Sequence, residues 1–519
     1  MKSKLYVLII FIAFGCSKNE SGNINKPPSD FEVNVESKTY NNVKLAWSES
    51  FDPEAEQVTY SIYIEGNLIE NNLSVRSYNF KNLNPSKSYI GRVVAYDTSG
   101  NETSKTFTFT TSDNLHPTSF EIISIIPDNV SVYVSWTKSF DPEEREVVYS
   151  LYLNEELIIS EYNFENFNFD NLSVNTLYNG KIIALDPEGN ETVLNFEVKT
   201  ADGIYHGDVS FVSQSSVDDF GSKGYIEIAG NLEITGFVAN SDITDLSNLR
   251  AIKKVQGYFT IFFCDELTNL DGLGIEHIGK SLRIKNNRKL ENINGLGDLK
   301  EILGDFDIIQ NTVLETIEGL NNLVTIGSVF RISNNVALTK VKGFEKLTFT
   351  DYILIDANWP LKEVSGFNLL QDIEGDFSIK NNPEVELIEG FSKLKTVGRL
   401  YLEDTLITNI DMFYTLTTVS GDLYITGNKE LKNIKGLSSL ENIVYGNLII
   451  SNNSKIKSLE GLENLVSIGG TLGITNNILL SDFCALQKAM QDFNPDFRES
   501  ITNNSINPTI TQIANGECN

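Results

Sequence analysis

The sequence predicts a mainly β protein: two β-sandwiches in tandem, a long leucine-patterned β-solenoid, and a small C-terminal helical cap. Three observations carry that reading. Residues 27–112 and 116–201 superpose after a shift of 89 positions, which takes Trp47 onto Trp136. From Tyr225 onward the apolar residues return with a period of 23 to 25. Past residue 483 that period stops and apolar residues fall at helical spacing.

In chain order, the first element is a leader. Lys2 and Lys4 precede an apolar run from Leu5 to Phe14, with Gly15 directly before Cys16. The run is too short to span a bilayer as a helix, which needs about 20 residues, and reads as a secretory signal over residues 1–15. Ala13-Phe14-Gly15-Cys16 resembles a bacterial lipobox. The resemblance implies cleavage before Cys16 and lipidation of its thiol and new amino terminus; the other reading is an ordinary signal with a chance cysteine. Two or more acyl chains anchor a protein stably where one does not. Residues 16–26 then form a polar tether whose Ser-Lys-Asn-Glu start loosely resembles signals that send lipoproteins to the outer cell face. The expected location is therefore the cell outer membrane, held by lipid alone and exposed at the surface.

The sandwiches follow. Phe51-Asp52-Pro53-Glu54 falls on Phe140-Asp141-Pro142-Glu143, Tyr60 on Tyr149, Leu83 on Leu172, Tyr89 on Tyr178, and Gly100-Asn101-Glu102-Thr103 on Gly189-Asn190-Glu191-Thr192. Short alternating runs such as Val43, Leu45, Trp47 and Tyr60, Ile62, Ile64 are half-buried strands between turns. The early Trp and the Leu83-to-Tyr89 spacing, which suits a tyrosine corner, resemble a fibronectin type III domain. The Asp-Pro-Glu turns carry more acid at Glu56, Glu144 and Glu146. Such oxygens can hold calcium, but the spacing matches no dedicated loop, and a solvated turn shaped by proline is the simpler reading.

Residues 225–483 form the solenoid. A representative turn holds Leu448, Ile450, Asn452, Asn453, Ile456, Leu459, Gly461, Leu462, Leu465, Ile468 and Gly469. A repeat of this length cannot bury its apolar edge alone and stacks on its neighbours. About eleven turns are expected. The pattern resembles leucine-rich repeats, more narrowly the receptor L-domain-like type of bacterial surface lipoproteins, and departs from it at Phe349-Thr350-Asp351-Tyr352 and Asp411-Met412-Phe413. Within each turn the paired amides divide. The second position, Asn287, Asn311, Asn335 and onward, with Cys264 one turn earlier, points inward and bonds the backbone of adjacent turns. The first, mostly Asn, Asp or Gly, suits a left-handed corner.

Residues 484–519 cover the open end. Ser481 or Asp482 caps a helix bearing Leu486, Ala489, Met490 and Phe493. Cys484 and Cys518 can close this cap as a disulfide, with two free thiols as the alternative.

Function is bounded mostly by exclusion. The 41 Lys and Arg stand against 70 Asp and Glu, a formal charge of -29, which repels phosphate backbones and argues against nucleic acid. The three histidines, His116, His206 and His277, lie in separate regions, and no phosphate loop, nucleophile elbow, His-x-x-x-His or Cys-x-x-Cys pair occurs. No catalytic residue, metal or cofactor is assigned, and no enzyme is expected. Binding is better served, on the outward positions of each solenoid strand. There Tyr401, Tyr424 and Ile449 occupy adjacent rungs beside Lys380 and Glu403. They are expected either as an exposed strip that takes a protein or glycan, or as a packing ladder covered by the cap or a loop. The resulting reading is a non-catalytic, lipid-anchored surface protein for binding or adhesion; a structural component of an envelope or nutrient-uptake complex is the alternative.

Overall fold

The computed structural model describes residues 25–237, 242–491 and 498–519. The leader, Cys16, nearly all of the tether and Phe493 lie outside the described residues.

The chain is mainly β, with β-sandwiches followed by a β-solenoid of about 12 turns and a small C-terminal helix. In the first sandwich Val33–Lys38, Val43–Trp47 and Ser77–Phe80 make one sheet, and Asn67–Leu73, Thr59–Ile64, Ser88–Tyr96 and Glu102–Thr110 the other. Alternation puts Val43, Leu45 and Trp47 of one strand inside, against Tyr60, Ile62 and Val93. The Tyr60 hydroxyl accepts the Ser50 N–H at 2.9 Å and the Tyr89 hydroxyl accepts that of Asn84 at 2.9 Å, the second being a tyrosine corner. The second copy repeats all seven strands at the same shift, from Ile122–Pro127 to Glu191–Lys199. Its tyrosines do the same work: Tyr149 accepts from Ser139 and Tyr178 from Ser173, each at 2.9 Å.

In the solenoid, parallel strands stack in strict register, Leu282 beside Phe306 beside Phe330. Among the described residues this ladder runs through thirteen strands, from Val209–Phe211 to Glu499–Thr502. It therefore begins before the expected start at Tyr225 and continues into the segment expected to be only a cap. Val209–Phe211 escapes the repeat signature because the helix Gln214–Gly221 follows it in place of the usual leucines. Glu499–Thr502 escapes because it pairs with Leu472–Thr475 while carrying only Ile501 as an apolar residue.

Among the described residues the inner side chains form two runs of hydrogen bonds, from Cys264 to Asn382 and from Thr405 to Asn504, with a break between Asn382 and Thr405. Asn335 Oδ1 accepts the Asn311 N–H at 3.0 Å, and its Nδ2 donates to the Ile308 carbonyl at 2.9 Å, two turns back from the next link at Asn358. Asn311, Asn335 and Asn358 are fully buried, so each supplies partners that water cannot. Cys264 begins the first run, its N–H donating to Asn287 Oδ1 at 3.0 Å, and Asn504 extends the second past Asn477. The outer amides sit at the corner, with φ +57° at Asn286 and +59° at Asn476; Gln310, Ala357 and even Phe263 adopt the same left-handed corner. The two departures from the repeat are absorbed locally. Thr350 turns its hydroxyl to the Ser328 and Tyr352 carbonyls, and Asp411–Phe413 becomes a short 3-10 turn that buries Met412 and Phe413. In the core, Phe344, Phe367 and Phe391 stack at 5.0 Å intervals.

The C-terminal helix is shorter than its sequence spacing suggests. A 3-10 turn at Cys484–Leu486 leads into Gln487–Met490, Asp482 Oδ1 accepts the Cys484 N–H at 3.0 Å, and a second helix spans Ile510–Ala514. Cys484 and Cys518 are joined, at a sequence separation of 34.

Candidate functional site

The strand face of the solenoid presents the outward side chains in two columns, and register places the candidate residues together. Leu400 pairs with Leu423 and Leu423 with Leu448, which puts Tyr401, Tyr424 and Ile449 on consecutive rungs. The Tyr401 and Tyr424 rings lie 5.2 Å apart, tilted by 35°. The Lys380 ammonium sits 3.7 Å from the centre of the Tyr401 ring and 3.1 Å from Glu403 Oε1, so one cation serves both a ring face and a carboxylate. Tyr401 also points its hydroxyl to Asp422 Oδ2 at 3.5 Å. Burial pushes its phenol up, which keeps it a neutral donor.

The strip is not fully open. Tyr401, Tyr424 and Ile449 are each half-buried, because Lys380 covers one ring, the rings cover each other, and Ile449 leans over Gly473. A Cβ added at Gly473 would stand 2.6 Å from Ile449 Cδ1. Neither the cap nor a loop is needed to explain this; the column packs along itself. What remains accessible is an aromatic and aliphatic edge bordered by an ion pair, able to stack on a flat apolar surface and to offer hydrogen bonds beside it.

A second cluster lies four rungs away, and the sequence reading did not single it out. Asp307 is 3% exposed on the strand face, with Lys285 Nζ at 3.1 Å, Arg331 Nη1 at 3.5 Å and Arg283 Nε at 3.9 Å. The Arg283 guanidinium also lies over the Tyr258 ring at 4.7 Å. Three cations around one carboxylate leave a local excess of positive charge on a strongly acidic protein. The signal was present once the turns were aligned, as Arg283, Asp307 and Arg331 in one column with Lys285 beside them.

His277 is a half-exposed side chain 3.5 Å from Glu301 Oε2, on a different ladder. Among the described residues no group of three or more His, Cys, Asp or Glu side chains converges as a ready-made metal site.

A fibronectin type III domain model matches residues 26–111. No curated protein matches the chain. Among solved structures the chain is similar to the central fibronectin-III array of RIM-binding protein, at 14% identity, covering 34% of this chain and 71% of that one, with a TM-score of 0.15. It is also similar to the fibronectin(III)-like modules of Clostridium thermocellum CbhA, at 12% identity, covering 33% of this chain and 94% of that one, with a TM-score of 0.17.

Proposed function

We propose that this is a non-catalytic, lipid-anchored cell-surface protein that binds a protein or glycan on the strand face of its solenoid. The observation that carries the reading is the Tyr401–Tyr424 ring pair with Lys380 seated on it. Stacked rings beside a charged rim suit sugar faces and protein hot spots alike. The fibronectin type III match over residues 26–111 supports it, since such domains are common spacers in binding and adhesion proteins. The lipid anchor rests on the sequence around Cys16.

Retention on glycan arrays and on immobilised extracellular proteins tests the binding site. Tyr401→Ala combined with Tyr424→Ala is expected to lower retention at least tenfold while leaving the melting temperature within a few degrees. Equal retention by the double variant overturns the assignment. Palmitate labelling of cells carrying Cys16→Ala tests the anchor separately: label is expected on the natural protein and none on the variant.

A further inference from the structure

The two sandwiches share the frame of one loop, but the charge at its centre is reversed. In the second copy Arg145 lies at the centre of an acidic cluster. Its Nη2 donates to Asn114 Oδ1 at 2.9 Å and its Nη1 to the Tyr40 hydroxyl at 2.9 Å. Its Nε stands 3.0 Å from Asp141 Oδ2, in ion-pair rather than hydrogen-bond alignment. Glu143 and Asp186 each lie 3.7 Å from Nη2, and Glu188 pairs with Nη1. The side chains of Asp141 and Asp186 are fully buried. Buried carboxylates need a counter-charge, and the guanidinium supplies it.

Subtracting 89 from each number gives Asn25, Asp52, Glu54, Asp97 and Ser99, with Glu56 where Arg145 should be. The frame is otherwise kept. Asp52 Oδ1 accepts the Glu54 and Glu56 N–H groups at 2.9 Å, as Asp141 Oδ1 accepts that of Glu143 at 2.6 Å. Asp97 and Asp186 hold the same turn, each accepting from the asparagine four residues on. The cation has gone, and a further carboxylate stands in its place. Two oxygens of this first cluster are buried with no hydrogen-bond partner among the described residues: Asn25 Oδ1 and Asp52 Oδ2. They are the equivalents of Asn114 Oδ1 and Asp141 Oδ2, two of the atoms that meet Arg145 in the other copy. Asp52 is 8% exposed, and an orphaned buried carboxylate oxygen is costly.

We infer that the first sandwich binds calcium through Asn25 Oδ1, Asp52 Oδ2 and the Glu54 and Glu56 carboxylates, in the place that the Arg145 guanidinium takes in the second. Asp97 adds charge behind them. All the donors are oxygens, and an irregular mix of amide and carboxylate suits calcium, which takes six to eight flexible ligands, better than octahedral magnesium. The carboxylates do not yet converge. Glu54 is exposed and Glu56 half-exposed; Glu56 now accepts from Asn25 Nδ2 and the Thr98 and Ser99 hydroxyls, and Glu54 from the Lys26 N–H, contacts that both would give up to turn toward the ion, with water completing the shell. The consequence is mechanical. Arg145 pins the segment at Asn114 to the second sandwich, and calcium would pin the segment at Asn25 to the first.

Calorimetric titration of the full-length protein with calcium chloride and then magnesium chloride, with melting measured in calcium and in EDTA, tests this. The natural protein is expected to bind one calcium with Kd of about 10⁻⁴ to 10⁻³ M, as in other extracellular modules, and to melt higher in calcium. Glu56→Gln should weaken binding at least tenfold. Glu56→Arg, which restores the guanidinium of the second copy, should abolish calcium binding and melt in EDTA no lower than the natural protein in calcium. No calcium heat, equal affinity for magnesium, or unchanged binding by Glu56→Arg overturns the inference. A variant that fails to fold also counts against it, because Glu56→Arg copies an arrangement the second sandwich already tolerates.

Discussion

Asn334 and Asn335 are adjacent amides with different tasks, and substitution should separate them. Asn335 gives a partner to the Asn311 N–H and another to the Ile308 carbonyl, both inside the solenoid. Alanine there strands two buried backbone groups, at about 1–3 kcal/mol each. Asn335→Ala is therefore expected to lower stability by about 4 kcal/mol in urea denaturation. Asn334 has φ +58° at the corner. Alanine at that position costs about 1 kcal/mol, the penalty of a left-handed backbone, and glycine should be neutral. Equal effects at the two positions would sink the division of labour. The inner thiol can be tested in the same way. Burial pushes Cys264 up to about 12, so at pH 8 only about one part in 10⁴ is thiolate, the reactive form. Iodoacetamide should leave Cys264 unlabelled in the native protein and alkylate it in guanidinium chloride, as read by peptide mass; native labelling at the rate of a free thiol would contradict the packing.

At the scale of elements, periodicity made most of the solenoid legible and failed where an element is polar. The Leu, Ile and Asn positions between Leu282 and Thr475 could be aligned residue by residue, and even Cys264 found its place in the amide column. The strand Glu499–Thr502 could not be found this way, because three of its four residues are polar and it stands 27 residues after Leu472 rather than 23 to 25. What holds it is the ladder and the closure behind it: Phe483 N–H donates to the Cys518 carbonyl at 2.9 Å beside the disulfide. The strand-face aromatics were legible as a column, whereas their half-burial was not, since it depends on how Ile449 and Lys380 lean. The charge cluster at Asp307 was hidden for a related reason: Arg283 and Lys285 from one turn and Arg331 from another meet at Asp307 only when strands are stacked. Closing a loop of 34 residues removes unfolded-state entropy equivalent to about 4 kcal/mol. Replacing both Cys484 and Cys518 by serine should therefore speed hydrogen exchange in Glu499–Thr502 and Ile510–Ala514 far more than in Leu282–Lys285. Uniform exchange along the solenoid would show that the disulfide does not act locally.

At the scale of the whole chain, a duplicated sandwich and a stacked repeat place different demands on the same sequence. The sandwiches close their own cores, and among the charges that differ between the copies, Glu56 against Arg145 at the centre of the loop is the trace of a changed task. The solenoid closes nothing until its turns stack, so its stability is a sum of neighbour terms. Damage to one turn should then spread, but only along the stack and with declining force. Asn335→Ala removes the side-chain bonds to the turns of Asn311 and Asn358 directly, and these neighbours lose part of the support they pass on. Hydrogen exchange by mass spectrometry should show the largest acceleration at Phe306–Ile309, Val329–Ser333 and Tyr352–Asp356. A smaller effect is expected at Leu282–Lys285 and Asp372–Lys380, and none at Thr59–Ile64 in the first sandwich. A change confined to one strand would mean that each turn holds itself, and an equal change from Leu232–Thr235 to Leu472–Thr475 would mean that the stack opens only as a unit. Either result would replace the neighbour-by-neighbour account, because graded decay is what a row of turns coupled through buried asparagines and a shared leucine edge must give.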